Sequence, residues 1–112
     1  MRPSPLAQEI EPTREAIDAT KGLTVLEFGA GWCPICQAAQ PLIAQALGSH
    51  TNVTHIKIED GKGRRLGRSY AVKLWPTLIF LRNGAEVSRV VRPESAGELD
   101  DALLALSSPD AQ

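Results

Sequence analysis

Cys33 and Cys36 are the two cysteines of this 112-residue chain, and they lie close together in Trp32-Cys-Pro-Ile-Cys36. Two thiols admit four readings: two core residues, one bridge, half a metal site, or a redox pair. A thiolate is the nucleophile of disulfide exchange, and a helix N-terminus favours it through free N–H groups and the helix dipole. Cys33 is expected exposed at such an end, with Cys36 one turn on, more buried and within reach of its sulfur. That spacing on a first helical turn allows a low-strain cycle between dithiol and disulfide. Pro34 suits the same turn, where its missing N–H costs nothing.

A metal reading competes. Cys33-x2-Cys36-x13-His50-x4-His55 fits the spacing of a two-cysteine, two-histidine zinc finger. In a finger, however, the cysteines come from a hairpin and both histidines from one helical face. Here a helix lies between the pairs, leaving His50 in a turn and His55 on a strand. No metal is expected, and both histidines read as solvated.

The elements that must position the thiols are bounded by composition. With 43% hydrophobic and 22% charged residues and a net charge of -1, disorder is excluded. One domain over residues 1–112 is expected, with an ordered core over 6–106 and flexible tails at 1–5 and 107–112. No apolar run approaches the roughly 20 residues that cross a bilayer. Met1 to Ile10 has no apolar h-region of a secretory signal, so a cytoplasmic protein is expected. In a reducing cytosol a permanent bridge is disfavoured, which raises the weight of catalytic or metal-binding cysteines. Near-neutral charge offers no global attraction to nucleic acid or membrane.

Along the chain, Leu6 to Ile10 reads as a short strand and Pro12 to Thr20 as a helix ended by Gly22. Leu23 to Phe28 is a strand buried on both faces, followed by the small turn Gly29-Ala-Gly31. Ile35, Ala38, Ala39, Leu42, Ile43, Ala46 and Leu47 form one helical stripe, kinked at Pro41 and closed by Gly48. Val53 to Ile58 is a strand, and Arg64 to Tyr70 a helix. Thr77 to Leu81 and Glu86 to Val91 are strands joined at Asn83-Gly84, a strong hairpin signal. Glu94 to Leu106 closes the order β-α-β-α-β-α-β-β-α. That order predicts an α/β fold, a central mixed β-sheet flanked by helices on both faces. Lys62, Arg64, Arg65, Arg68 and Lys73 form an acid-free run, read as a solvated face or as a patch steering an acidic protein partner. Glu94, Glu98, Asp100 and Asp101 gather where the last helix opens, which its dipole favours.

With these landmarks in place, the chain resembles the thioredoxin family from about Leu6 to Leu106. The resemblance is carried in order by Glu27-Phe28, Trp32-Cys-x-x-Cys36, Pro41 at the helix kink, Lys57-Ile-Glu59, Trp75-Pro76-Thr77 and Asn83-Gly84. It implies a thioredoxin-like fold and a cis proline at Pro76 beside the cysteines. It also implies that Glu27 is a buried proton acceptor and donor behind the resolving cysteine, with Lys57 as its charge partner. Burial is expected to raise the Glu27 pKa. Phe28 and Trp32 are expected to flank the approach to Cys33.

Departures from the family pattern cluster at the site. Pro34-Ile35 stands where Gly-Pro is typical, and Gly29 replaces a common tryptophan. Gln37 replaces a lysine, Trp75 a smaller β-branched residue and Arg92 a glycine. Trp75 and Arg92 are expected to narrow the substrate groove, which Trp32, Pro34, Ile35 and Pro76 help to shape.

The function the resemblance implies is a thiol–disulfide oxidoreductase acting as a protein-disulfide reductase. Cys33 forms a mixed disulfide and Cys36 resolves it, with Glu27 and Lys57 managing the Cys36 proton. Neither metal nor organic cofactor is implied. The expected partners are disulfide-containing proteins and a reductase or other dithiol donor, met as a monomer. The alternatives are a thioredoxin-like binding or assembly-chaperone module with little redox turnover, and a disulfide oxidase or isomerase.

Overall fold

The computed structural model describes residues 11–108. Its elements run α1 (Arg14–Asp18), β1 (Leu23–Gly29), α2 (Pro34–Gly48), β2 (Val53–Glu59), α3 (Leu66–Ser69), β3 (Thr77–Arg82), β4 (Ala85–Val91) and α4 (Ala96–Ser107). The expected strand over Leu6 to Ile10 lies outside the described residues. Other bounds differ from the sequence reading by one or two residues, because capping and pairing rather than apolar character set element ends. Thr13 caps α1 by accepting the Ala16 N–H at 3.0 Å. Ser95 caps α4 by accepting the Glu98 N–H at 3.3 Å, while the Glu98 carboxylate accepts the Glu94 N–H at 2.8 Å. The acids at that helix opening therefore have a structural use.

The sheet has the order β2-β1-β3-β4, with β1 parallel to β2 and antiparallel to β3, and β3 antiparallel to β4. Strand period places successive side chains on opposite faces. Val25, Leu78 and Phe80 pack with Ala39, Ile43 and Ala46 of α2 and Leu99, Leu103 and Leu106 of α4. Leu26, Phe28, Ile79 and Leu81 pack on the other face with Ile17 of α1 and Leu66 of α3. The mixed sheet with helices on both faces is the expected one. Glu27, two residues beyond Val25, falls by the same period on the α2 face.

Two stripe residues of α2 are corrected. Ile35 is exposed and Ala38 faces outward, while Cys36 joins the buried set with Ala39, Ile43 and Ala46. The helix turns its first exposed apolar side chain toward the thiol end instead of the core. It continues unbroken through Pro41. Phe28, expected near Cys33, is fully buried against Tyr70, with ring centroids 6.0 Å apart.

Asn83 and Gly84 both have positive φ, 49° and 83°, as a two-residue hairpin loop of this twist requires. The loop is tied to the chain before β1: Gly22 N–H donates to Asn83 Oδ1 at 2.8 Å, and Asn83 N–H to the Gly22 carbonyl at 2.8 Å. A Cβ on Gly84 would lie 2.0 Å from the Asp18 carbonyl oxygen. Gly84→Ala combines that backbone clash with a left-handed φ and is expected to cost roughly 2–4 kcal/mol, read as a lowered thermal midpoint. No helix among the described residues is long and apolar enough to cross a membrane.

Candidate active site

Cys33 caps α2. Its backbone is extended (φ -80°, ψ 117°), Pro34 follows in the first turn, and its Sγ accepts the Cys36 N–H at 3.2 Å. Both cysteines are free thiols. Contrary to the expectation of an exposed Cys33 and a more buried Cys36, each is only 5% exposed. The cause is tertiary: Ala30 and Trp75 pack against the pair.

The two thiols differ in proton affinity. Burial pushes Cys33 up, but hydrogen bonds from the Cys36 thiol and from the N–H groups of Cys36 and Ile35, with the charge of Arg92, outweigh it. Its pKa falls below the ordinary thiol value of 9.0. Burial, the hydrogen bond to Cys33 and the nearby charges of Cys33 and Glu27 push Cys36 up to about 11. One sulfur is thereby prepared as a nucleophile and the other holds its proton.

Behind Cys36 lies Glu27, 5% exposed. His55 Nε2 donates to its Oε1 at 2.7 Å, and Gln40 Nε2 donates to its Oε2 at 2.7 Å and to the Cys36 carbonyl at 3.1 Å. Lys57 acts on the carboxylate by its charge, as the resemblance implied, without a direct hydrogen bond: its Nζ donates to Gln40 Oε1 at 2.9 Å. One expectation is corrected: the Glu27 pKa is not raised. Burial pushes it up, but the hydrogen bonds from His55 and Gln40 and the charges of His55 and Lys57 bring it below the ordinary 4.5.

His55, expected to be solvated, and Gln40, which drew no notice in the sequence, are thus the residues that hold the carboxylate. The signal for His55 lay in the register: β1 and β2 pair Val25 with His55 and Glu27 with Lys57, so all three polar residues share a face. Gln40 sits one turn beyond Cys36. A cavity of about 220 Å³ joins Cys36 to Glu27, Gln40 and Lys57. Glycine at position 29, also in the lining, lets the Cys36 sulfur lie against β1: a Cβ there would come within 2.9 Å of Cys36 Sγ.

The outer face around the thiols is apolar. Trp32 is 71% exposed, Leu74 47% and Ile35 42%. Leu74 is a further residue the sequence reading missed. Pro34 is exposed and Pro76 buried. Trp32 and Trp75 meet edge to face, with centroids 5.7 Å apart. The Trp75–Pro76 bond is cis, as the resemblance implied. Trp75 Nε1 donates to Asp60 Oδ2 at 2.8 Å, Arg92 Nε donates to the Trp75 carbonyl at 2.9 Å, and Arg92 N–H donates to the Pro76 carbonyl at 2.9 Å. Arg92 has a φ of 52°, a conformation in which a glycine would be unstrained.

The histidines of the zinc spacing diverge. His50 approaches Asp100 at 3.7 Å, whereas His55 is engaged by Glu27. Among the described residues no group of three His, Cys, Asp or Glu side chains is arranged to hold a metal ion.

Known proteins share this arrangement. The family model described as Thioredoxin matches residues 7–105. The chain is 51% identical to thioredoxin 2 from Pseudomonas aeruginosa PAO1, solved in its reduced form, with a TM-score of 0.78 over 88% of this chain and 96% of that one. It is 32% identical over 81 residues to thioredoxin H5 from Arabidopsis thaliana, covering 72% of this chain and 68% of that protein. With thioredoxin H2-1 from Oryza sativa subsp. japonica it shares 30% identity over 89 residues, 80% of this chain but 64% of the rice protein. The chain thus spans slightly less than two thirds of the rice relative's length.

Proposed function

The chain belongs to the thioredoxin family, whose chemistry is thiol–disulfide oxidoreduction, and we propose that it reduces disulfides in proteins with Cys33 as nucleophile and Cys36 as resolving thiol. The observation that carries this reading is the capping geometry: Cys33 Sγ accepts the Cys36 N–H at 3.2 Å at the start of α2. Cys33 thiolate attacks one sulfur of the substrate disulfide. That bond breaks, a Cys33–substrate disulfide forms, and the first substrate thiolate leaves and takes a proton. Cys36 then gives up its proton and attacks Cys33 Sγ. The mixed disulfide breaks, the second substrate thiolate leaves, and Cys33–Cys36 closes as a disulfide. Two electrons pass to the substrate, and a reductase or other dithiol donor returns them to the pair.

Glu27 accepts the Cys36 proton across the cavity, where Glu27, Gln40 and Lys57 offer polar groups to a bridging water. His55 and Gln40 hold that carboxylate in place, and Lys57 acts on it by its charge. Trp32, Pro34, Ile35, Leu74, Trp75, Pro76 and Arg92 form the groove for an extended substrate segment. All these groups lie in one chain, so a monomer suffices. A dithiol acts as a reductant only where a thiol pool keeps it reduced, which favours the cytoplasm.

Reduction of insulin by dithiothreitol tests the reading: the protein should accelerate it, and no acceleration with the thiol pair intact would favour a binding module instead. Trp75 and Arg92 narrow the range of substrates. Across unrelated disulfide proteins, Trp75→Val and Arg92→Gly should raise the slow substrates' rates several-fold relative to the fast ones. Equal rates for wild type and both variants remove that role. Arg92→Gly should also move alkylation of Cys33 to higher pH, since the Arg92 charge lowers its pKa.

A further inference from the structure

Trp75 has two sets of neighbours. It packs against Cys33 and Cys36, and it also walls a separate cavity of about 270 Å³ lined by Arg64, Arg68, Lys73 and Asp60. The lining sets three cations against one acid, Asp60. Asp60 Oδ2 accepts the Trp75 indole N–H at 2.8 Å, and its Oδ1 lies where a Cβ on Gly67 would approach within 2.4 Å. Arg68 and Lys73 are exposed. Arg64 is partly buried and anchored by Nε donating to the Glu59 carbonyl at 3.0 Å. Ala71, also in the lining, has a φ of 57°, and its N–H is bonded to the Arg68 carbonyl at 3.0 Å. This left-handed bend returns the chain after α3 and sets Lys73 beside Arg68. With Val72 N–H donating to the Gly67 carbonyl at 2.9 Å, Ala71 is the left-handed residue that closes α3.

The positive charge here is local. The chain carries -1 overall, and the acids Glu94, Glu98, Asp100 and Asp101 lie at α4, which covers the opposite face of the sheet from α3. Guanidinium groups grip carboxylates through paired N–H donors, and a cleft with an excess of one sign raises the capture rate of opposite charge.

We propose that this cavity is a second recognition subsite, seating an Asp or Glu side chain of the protein substrate while Cys33 attacks a disulfide a few residues away. Trp75 is the shared wall, so one extended segment can touch both. The proposal rests on the reductase reading of Cys33 and adds a substrate class to it: proteins with an acidic residue close to the reducible disulfide.

Three disulfide peptides that differ only in flanking residues (Asp/Glu, Asn/Gln or Lys) supply the test. Wild type should show kcat/KM for the acidic peptide about 10-fold above the neutral one at low salt, with the difference collapsing near 1 M salt. Arg68→Glu with Lys73→Glu should abolish that preference and leave the neutral peptide's rate unchanged. Lys62→Glu with Arg65→Glu, an equal charge reversal outside the cavity, should retain most of it. An acidic preference that survives the first pair, or is lost equally with the second, overturns a seated side chain. Binding of the same peptides with serine in place of cysteine, followed by tryptophan fluorescence, separates the two readings. If no peptide is reduced, the reductase reading fails. The subsite then stands only if the acidic peptide binds more tightly and loses that advantage in Arg68→Glu/Lys73→Glu, and equal binding removes it.

Discussion

Cys33→Ser is expected to lower protein-disulfide reduction by at least ~10³-fold, while Cys36→Ser keeps the first attack and stops at the mixed disulfide. The difference follows from the pair's asymmetry. Cys33 is held below the ordinary thiol pKa by donors that converge on its sulfur, and Cys36 is pushed to about 11. Near neutral pH the first is the better nucleophile and the second is a thiol. Serine is itself a favourable helix cap, so Cys33→Ser should still accept the Cys36 N–H and melt close to wild type. Loss of activity without loss of stability then reports chemistry. Cys36→Ser, incubated in cell extract, should accumulate proteins bound through Cys33. If nothing accumulates on that thiol beyond a Cys33→Ser control, Cys33 is not the attacking group.

What the sequence made legible was local. The nearly continuous apolar run of Leu23 to Phe28 marks a strand covered on both sides, and it does split its apolar residues between the two cores, as does the strand Thr77 to Leu81. Asn83-Gly84 specified its own turn through positive φ at both positions. The cysteine spacing at the start of a striped helix specified the capping thiol.

What failed was long-range. The charge of Lys57 acts on Glu27 as the resemblance implies, but which β2 side chain bonds the carboxylate depends on how His55 and Lys57, two residues apart, reach across to β1 and α2. The apolar pattern does not carry that information, and the imidazole takes the carboxylate while the ammonium takes Gln40. The sign of the Glu27 shift failed for the same reason: burial was visible in the sequence and the donors were not. Cys33 was misjudged because Trp75, distant in sequence, folds over it. The basic run read as a solvated face or a steering patch, and its meeting with Trp75 across one cavity appears only in three dimensions.

Glu27→Gln is expected to slow resolution of the mixed disulfide by roughly 10²-fold near neutral pH and to leave the first attack by Cys33 nearly unchanged. The reason is the proton on Cys36. Burial pushes that thiol above the ordinary value of 9.0, so it supplies little thiolate unaided, and Glu27 shares the adjoining cavity. Hydrogen bonds from His55 and Gln40 keep Glu27 ionised, so its oxygens carry no proton of their own, while the same donors weaken it as a base. Glutamine retains the size but its single oxygen can accept from only one of the two donors, so a loss of rate reports the missing base where the thermal midpoint is unchanged. The pH dependence supplies the sign. In wild type, resolution should weaken as acid protonates Glu27 below the ordinary carboxylate value of 4.5. In Glu27→Gln it should instead climb with pH as the Cys36 thiol ionises, at a pH below the wild-type thiol's because the Glu27 charge that raises it is gone. Stability should follow the same group: a carboxylate with a depressed folded pKa contributes stability above 4.5 that is lost as pH falls through the lower folded value. The variant should lack that component of acid destabilisation. Stopped-flow resolution of a preformed mixed disulfide measures the rate, and an unchanged rate at neutral pH in Glu27→Gln would assign the Cys36 proton to another acceptor and leave the carboxylate with a structural role alone.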